Sequence, residues 1–209
     1  MVFFILLIFS GASPQGTCSG QEIAGSLLER FSPEQREKLL AGKAIYEYVL
    51  GDDSATGTSG YGKTWVLINA PIEQCFKLFL EFEKQSLYLP QVKTSRIIKA
   101  SGQQAVIFKE LDYRIAVIKY THLLTIDPRI FRVDFVTDPA GENDIKFSQG
   151  FFQFEKLDDA RTLFSYALVK FDAGFKIPGF IQKYMTSRDL PLLAINLKKY
   201  LESRGQWRK

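Results

Sequence analysis

The stretch from Val92 to Phe171 constrains this chain more than any other part of it. It divides into six runs rich in β-branched and aromatic residues: Val92–Lys99, Ala105–Leu111, Ile115–Ile126, Ile130–Thr137, Ile145–Leu157 and Thr162–Phe171. Only short turns separate them, at Ser101-Gly102, Asp112–Arg114, Asp127-Pro128, Asp138-Pro139-Ala140-Gly141 and Asp158-Asp159. Parallel neighbours need crossovers of a dozen residues or more, so connections this short dictate an antiparallel meander. A strongly twisted sheet of six or seven such strands needs a cover for its concave face.

The flanks supply helices. Ser32-Pro33-Glu34-Gln35 reads as a capping box with Pro at the first helical position, and that helix ends near Gly42. Ala44–Leu50 and Tyr61–Ala70 read as strands around a Gly/Ser/Thr/Asp-rich turn over residues 51–62. Pro71 opens a second helix whose Ile72, Phe76, Phe79 and Leu80 share one face, and Leu89-Pro90 ends the helical region. The cover comes last. From Ile177 to about Ser203, Phe180, Ile181, Tyr184, Met185, Leu190, Leu193, Leu197 and Leu201 fall on one side. Pro191 predicts a kink or two abutting helices there, with Asp189 as N-cap.

Strand alternation says what faces inward. Tyr120 and His122 share a side with Ala116, Ile118, Leu124 and Ile126, and Phe131 and Phe135 share one with Val133. Gly150 marks a bulge or a close approach, after which Phe152 and Phe154 join Phe164 and Tyr166 on the inner face. With Phe79 from the second helix and Phe180 and Tyr184 from the last, these inward positions make ten candidate ligand-binding residues: Phe79, Tyr120, His122, Phe131, Phe135, Phe152, Phe154, Tyr166, Phe180 and Tyr184. The chain has 18 Phe and 9 Tyr, a supply that serves an apolar ligand cavity and a solid core equally well. His122 has two readings: a group that orients a ligand or acts as general base, and a core histidine bonded to the backbone. Tyr120 and Tyr166 either present hydroxyls to a bound head group or only pack. Lys109, Glu110, Asp112 and Arg114 cluster around a turn and read as solvated ion pairs.

Composition removes several chemistries. One His and two Cys exclude multi-His metal sites, zinc ribbons and iron–sulfur clusters, and no phosphate-cradle or nucleophile-elbow motif is present. No metal, cofactor or catalytic residue is assigned. Val2–Phe9 is an unbroken apolar run followed by small and turn-forming residues; it is too short to span a bilayer and suits a secretory signal over residues 1–20. That predicts an exported protein, periplasmic or secreted. Cys18 lacks a lipobox before it and is available to pair with Cys75, which otherwise reads as a buried helix thiol. Residues 176–209 carry eight Lys/Arg against two Asp/Glu, within a chain of net charge +4. Such a segment either touches anionic membrane surfaces or forms a solvated helix face. No basic and aromatic interleaving points to nucleic acid.

Certain motifs carry a family likeness. Ala70-Pro71-Ile72-Glu73 before a helix, then Tyr88-Leu89-Pro90-Gln91-Val92-Lys93-Thr94-Ser95, resembles the opening of START-like (SRPBCC) domains. Gly174-Phe175-Lys176-Ile177-Pro178, Leu190-Pro191 and Asn196-Leu197-Lys198 resemble their ending. The resemblance covers about residues 60–204, leaves residues 21–59 as an N-terminal extension and 205–209 as a tail, and is closest to the polyketide cyclase/dehydrase-like and coenzyme Q-binding branches. It implies an α+β helix-grip fold, a curved antiparallel sheet wrapped around a long C-terminal helix with a cavity between. Three functions fit: binding or transport of a hydrophobic small molecule (lipid, sterol-like compound or quinone) beneath a lid near Gly174–Ile181; a cyclase or dehydratase using His122 and Tyr120 as an acid–base pair; and an interaction module whose interior is filled by its own side chains. The first is favoured. An interior without a cavity above roughly 300 Å³ favours the third.

Overall fold

The computed structural model describes residues 27–50, 59–174 and 188–209. The apolar run 2–9, Cys18, most of the turn 51–62, the lid segment beyond Gly174, Phe180 and Tyr184 lie outside the described residues.

Helix α1, Pro33–Leu40, begins with the anticipated capping box: Gln35 N donates to Ser32 Oγ at 3.2 Å and Ser32 N to Gln35 Oε1 at 3.0 Å. Gly42, at φ +72°, turns the chain out of it into β1, Ile45–Leu50. Strand β2, Ser59–Ile68, is followed by α2, Ile72–Phe79, a single 3-10 turn at Phe82–Lys84, and the short α3, Gln85–Tyr88. The meander then runs β3, Val92–Ser101; β4, Gln104–Asp112; β5, Val117–Asp127; β6, Arg132–Thr137; β7, Phe147–Lys156; and β8, Thr162–Asp172. Helix α4, Leu190–Glu202, closes the chain.

All eight strands form one antiparallel sheet in the order β1-β2-β8-β7-β6-β5-β4-β3. The count exceeds the expected six or seven because β1, from the N-terminal extension, pairs with β2 and extends the same sheet. Val169 is the extra residue where β8 runs between Gln149/Gly150 of β7 and Gly60/Gly62 of β2, a bulge shared by both ladders that bends the sheet. The concave face packs on α4 through Ala194, Leu197, Tyr200 and Leu201, and on α2 through Ile72, Cys75, Phe76 and Phe79, all in one buried cluster. On the outer face α1 covers a separate small cluster of Phe31, Leu39, Ile45 and Leu163. Asp189 stands at the start of α4, but its carboxylate caps no backbone amide. Instead it accepts from the Tyr113 hydroxyl at 2.5 Å, which ties the β4–β5 turn to the head of α4.

Gly150 shows why the inner face curves here. A Cβ at this position would lie 2.0 Å from the Ala167 carbonyl oxygen and 2.6 Å from Phe135 Cζ. Gly150→Ala is therefore expected to destabilise the fold by at least about 2 kcal/mol in urea unfolding. A neutral result contradicts the close approach of β6, β7 and β8 at this point.

Candidate functional site

Two adjoining hollows lie between the sheet and the N-terminal half of α4. One has a volume of about 110 Å³ and reaches from Leu89, Pro90 and Val92 to Leu193. The other, about 80 Å³, runs deeper to Ile145, Ser148, Leu168 and Phe171. Both are walled by Leu111, Tyr120, His122, Phe135, Tyr166 and Leu190, which makes them two lobes of one interior space.

The anticipated site residues separate into two groups. Tyr120, His122, Phe135, Phe152 and Tyr166 line this space. Phe79, Phe131 and Phe154 do not. They belong to an aromatic plug at the other end of the concave face, where α2 presses Phe76 and Phe79 onto the sheet. There Phe76 meets Phe131 and Phe154 edge-on at 5.5 and 5.8 Å, and Phe79 meets Phe154 at 5.3 Å. Alternation identifies the inward face; it does not show which inward residues meet a helix. Phe152 stands at the border, 5.0 Å from Phe79 and stacked on Tyr166 at 4.8 Å.

His122 is neither free nor bonded to the backbone. Its Nε2 lies 2.7 Å from Ser148 Oγ, and Ser148 in turn meets Thr137 Oγ1 at 3.0 Å. The imidazole stacks on Phe135 at 4.8 Å and touches Tyr120 at 4.7 Å. Burial, with the Lys109 ammonium close by, pushes His122 down to about 3, so the ring is neutral at ordinary pH. Burial raises Tyr120 and Tyr166 well above the usual phenol range. Neither hydroxyl bonds to a described residue, and both side chains wall the hollow. Ser148, which alternates with Gly150, Phe152 and Phe154 on β7, was the signal for a polar inner position.

Lys109 corrects the sequence reading. It is not part of a solvated ion pair. Lys109 pairs across the β4–β5 ladder with Tyr120, one step from Ile107 opposite His122, and its side chain lines the larger lobe. It forms no salt bridge or hydrogen bond with any described residue, and burial pushes it down to about 8. The alternation Ala105, Ile107, Lys109, Leu111 placed it inward, but the nearby acidic residues obscured that signal. The other three residues do not form the expected ion pairs with one another either: half-buried Glu110 pairs with Lys93 at 3.1 Å, and Asp112 accepts from the Arg114 backbone N at 2.7 Å. Across the mouth, burial raises the Asp189 carboxyl, opposed by the Tyr113 hydrogen bond and by Arg188.

Other polar groups serve the structure. Cys75 is fully buried with a free thiol 3.6 Å from the Ala70 carbonyl, and burial pushes it up to about 12. Several C-terminal basic side chains are engaged with the protein itself. Lys198 donates to the Leu67 carbonyl at 2.8 Å, Lys199 sits 5.1 Å from the Trp207 ring centroid, and Lys209 donates to the Leu89 and Val92 carbonyls at 2.7 and 2.6 Å. The tail thereby braces the Leu89–Val92 wall of the hollow. Among the described residues no group of three His, Cys, Asp or Glu side chains is placed to hold a metal ion.

No family model matches the sequence, and no curated protein matches it. Solved structures do match the fold. The Zhui aromatase/cyclase from a Streptomyces species superposes with a TM-score of 0.59 at 13% identity, covering 77% of this chain and 96% of that one. A STAR-related lipid transfer protein from Xanthomonas axonopodis gives 0.58 at 12% identity over 75% of this chain and 93% of that one. Human StAR-related lipid transfer protein 5 gives 0.55 at 10% identity over 88% and 97%. The chain has the α+β helix-grip fold of START-like proteins, as its motifs implied.

The buried neutral His122 sets a pH dependence. Unfolded, a histidine titrates near 6.5, so the unfolded chain binds one proton more than the folded chain as pH falls from 6.5 towards 3. This contribution to stability is complete above that window and is lost as pH falls through it, by up to about tenfold in the folded-to-unfolded ratio per pH unit. In urea unfolding between about pH 7 and pH 5, the advantage of the wild type over His122→Gln is expected to shrink with falling pH. A constant difference contradicts the neutral buried ring.

Proposed function

We propose that this protein binds and carries a hydrophobic small molecule in the space beneath α4. The carrying observation is the two-lobed hollow, walled by aromatic and aliphatic side chains, whose few polar groups converge from β4, β5 and β8. That is the composition of a ligand site: apolar for affinity, with a small number of placed polar atoms for orientation. The START-like fold supports the reading, because structural neighbours include proteins described as lipid transfer proteins. The lobes, at about 110 and 80 Å³, fall short of roughly 300 Å³, which counts for the interaction-module alternative; the cargo reading therefore requires a compact molecule or one that displaces wall residues on entry. Lipids, sterol-like compounds and quinones all need that displacement.

A cyclase or dehydratase, as in the aromatase/cyclase neighbour, has less support from the site. A general base works best when its pKa lies near the working pH. His122, pushed down to about 3 and bonded to Ser148, is a poor proton acceptor, and Tyr120, raised by burial, is a poor donor.

Export belongs to the same proposal and rests on the apolar run 2–9. Protein from the native host is expected to begin downstream of that run when its N-terminus is sequenced. A chain retaining Val2–Phe9 in a cytosolic fraction contradicts export. Membrane contact through the C-terminal segment remains part of the proposal, although Lys198, Lys199 and Lys209 are already engaged internally.

The binding test uses naphthalene, a neutral planar probe small enough for the joined lobes. Its fluorescence is expected to saturate at one site per chain, and Leu193→Trp, which puts an indole into the larger lobe, is expected to abolish that binding while thermal unfolding remains cooperative. Failure of the wild-type protein to bind the probe contradicts the cargo reading.

A further inference from the structure

Lys109 is the group that a neutral cargo does not explain. A leucine or methionine at an inner strand position between Ile107 and Leu111 would fill space without cost. The chain instead holds an ammonium there, beside His122, with no carboxylate within salt-bridge distance among the described residues. An unpaired charge inside a protein is destabilising unless something neutralises it. Two hydroxyls without described partners, on Tyr120 and Tyr166, line the same space. Three donors thus face one small volume in which the neutral His122 ring is committed to Ser148.

The walls describe the rest of the occupant. Phe152 and Tyr166 stack at 4.8 Å with 14° between their planes, and His122 and Phe135 stack at 4.8 Å with 26°. Flat, near-parallel ring faces favour a flat guest over a branched one. Together the two lobes give room on the scale of a cavity that accepts an aromatic ring system, roughly 150 Å³ or a little more.

We propose that the hollow selects planar aromatic carboxylates, with the ring against Phe135, Phe152 and Tyr166 and the carboxylate on the Lys109 ammonium, supported by the Tyr120 and Tyr166 hydroxyls. This rests on the cargo reading above and names its ligand class. Asp189 lines the same space: its Oδ2 accepts from the Tyr113 hydroxyl, its Oδ1 is buried without a hydrogen-bond partner, and burial raises its carboxyl. Because burial raises the Asp189 carboxyl, it opposes an anionic guest less than an ordinary carboxylate would, and Lys109 is the cation that lines the space. Binding exchanges an unpaired half-buried ammonium for a charge-assisted hydrogen-bonded pair, the strong class of such bonds.

Naphthalene-2-carboxylate and naphthalene-2-carboxamide have the same shape and differ in charge, so they separate this inference from the reading it rests on. By calorimetric titration of the full chain at pH 7, the carboxylate is expected to bind roughly tenfold to a hundredfold tighter than the amide. Lys109→Met is expected to erase that preference while leaving amide binding in place, and Lys109→Gln serves the same comparison if the methionine variant does not fold. Tyr120→Phe is expected to weaken the carboxylate more than the amide. Equal affinities in the wild-type protein, or a preference that survives loss of Lys109, overturn the carboxylate assignment and leave the cargo reading standing. Binding of neither probe overturns both.

Discussion

The concave face of the sheet is filled unevenly, and most of what distinguishes this molecule depends on that. At one end α2 lays Phe76 and Phe79 onto Phe131, Phe154 and Phe164, and edge-to-face and tilted ring contacts fill the space. Such packing removes large apolar areas from water and supplies the main driving force for closing the sheet on its helices. At the other end no helix among the described residues descends between β4–β5 and the head of α4. Leu190 and Leu193 span the gap from above, and the sheet answers with tyrosines, a histidine and a lysine whose polar ends resist close packing. The aromatic plug holds the grip; the opposite end stays hollow because the grip does not need it.

The hollow is braced by contacts that lie outside it. The Tyr113–Asp189 hydrogen bond joins the β4–β5 turn to the start of α4, and the C-terminal residue ties the Leu89–Val92 wall through two backbone carbonyls. On the floor, Thr137 and Ser148 fix the His122 ring from β6 and β7. The walls are thus set by elements from both ends of the domain sequence, and the N-terminal extension adds an edge strand whose described residues line neither lobe. The half-buried Lys109 runs against stability in the same way that many functional groups do, since a binding site keeps groups a core would replace.

Much of this was legible in the sequence because periodicity and turn chemistry are local. The capping box at Ser32, the helix after Pro71, the six meander strands and the special role of Gly150 all follow from neighbouring residues, and all stand in the structure. The inward set from Tyr120 to Tyr166 followed from alternation alone. What alternation could not supply was depth along the strand. Phe131 and Phe154 face inward as truly as Phe135 and Phe152, but α2 reaches only the first pair, and a helix's landing place is a long-range fact. Lys109 was missed for a different reason: the charges of Glu110, Asp112 and Arg114 suggested a solvated turn, and only the pairing of Lys109 with Tyr120 across β4 and β5 shows which way it points. Asp189 sat where a cap belongs, yet Tyr113 claimed its carboxylate.

The central claim is that the space under the first turns of α4 is real, apolar in its walls and open to a guest. Xenon tests this without assuming any ligand, because it enters apolar cavities of this size and leaves filled cores alone. A crystal pressurised with xenon is expected to show an atom bounded by Leu111, Phe135, Tyr166 and Leu190. Xenon absent from that position, with those side chains meeting one another directly, would contradict the account.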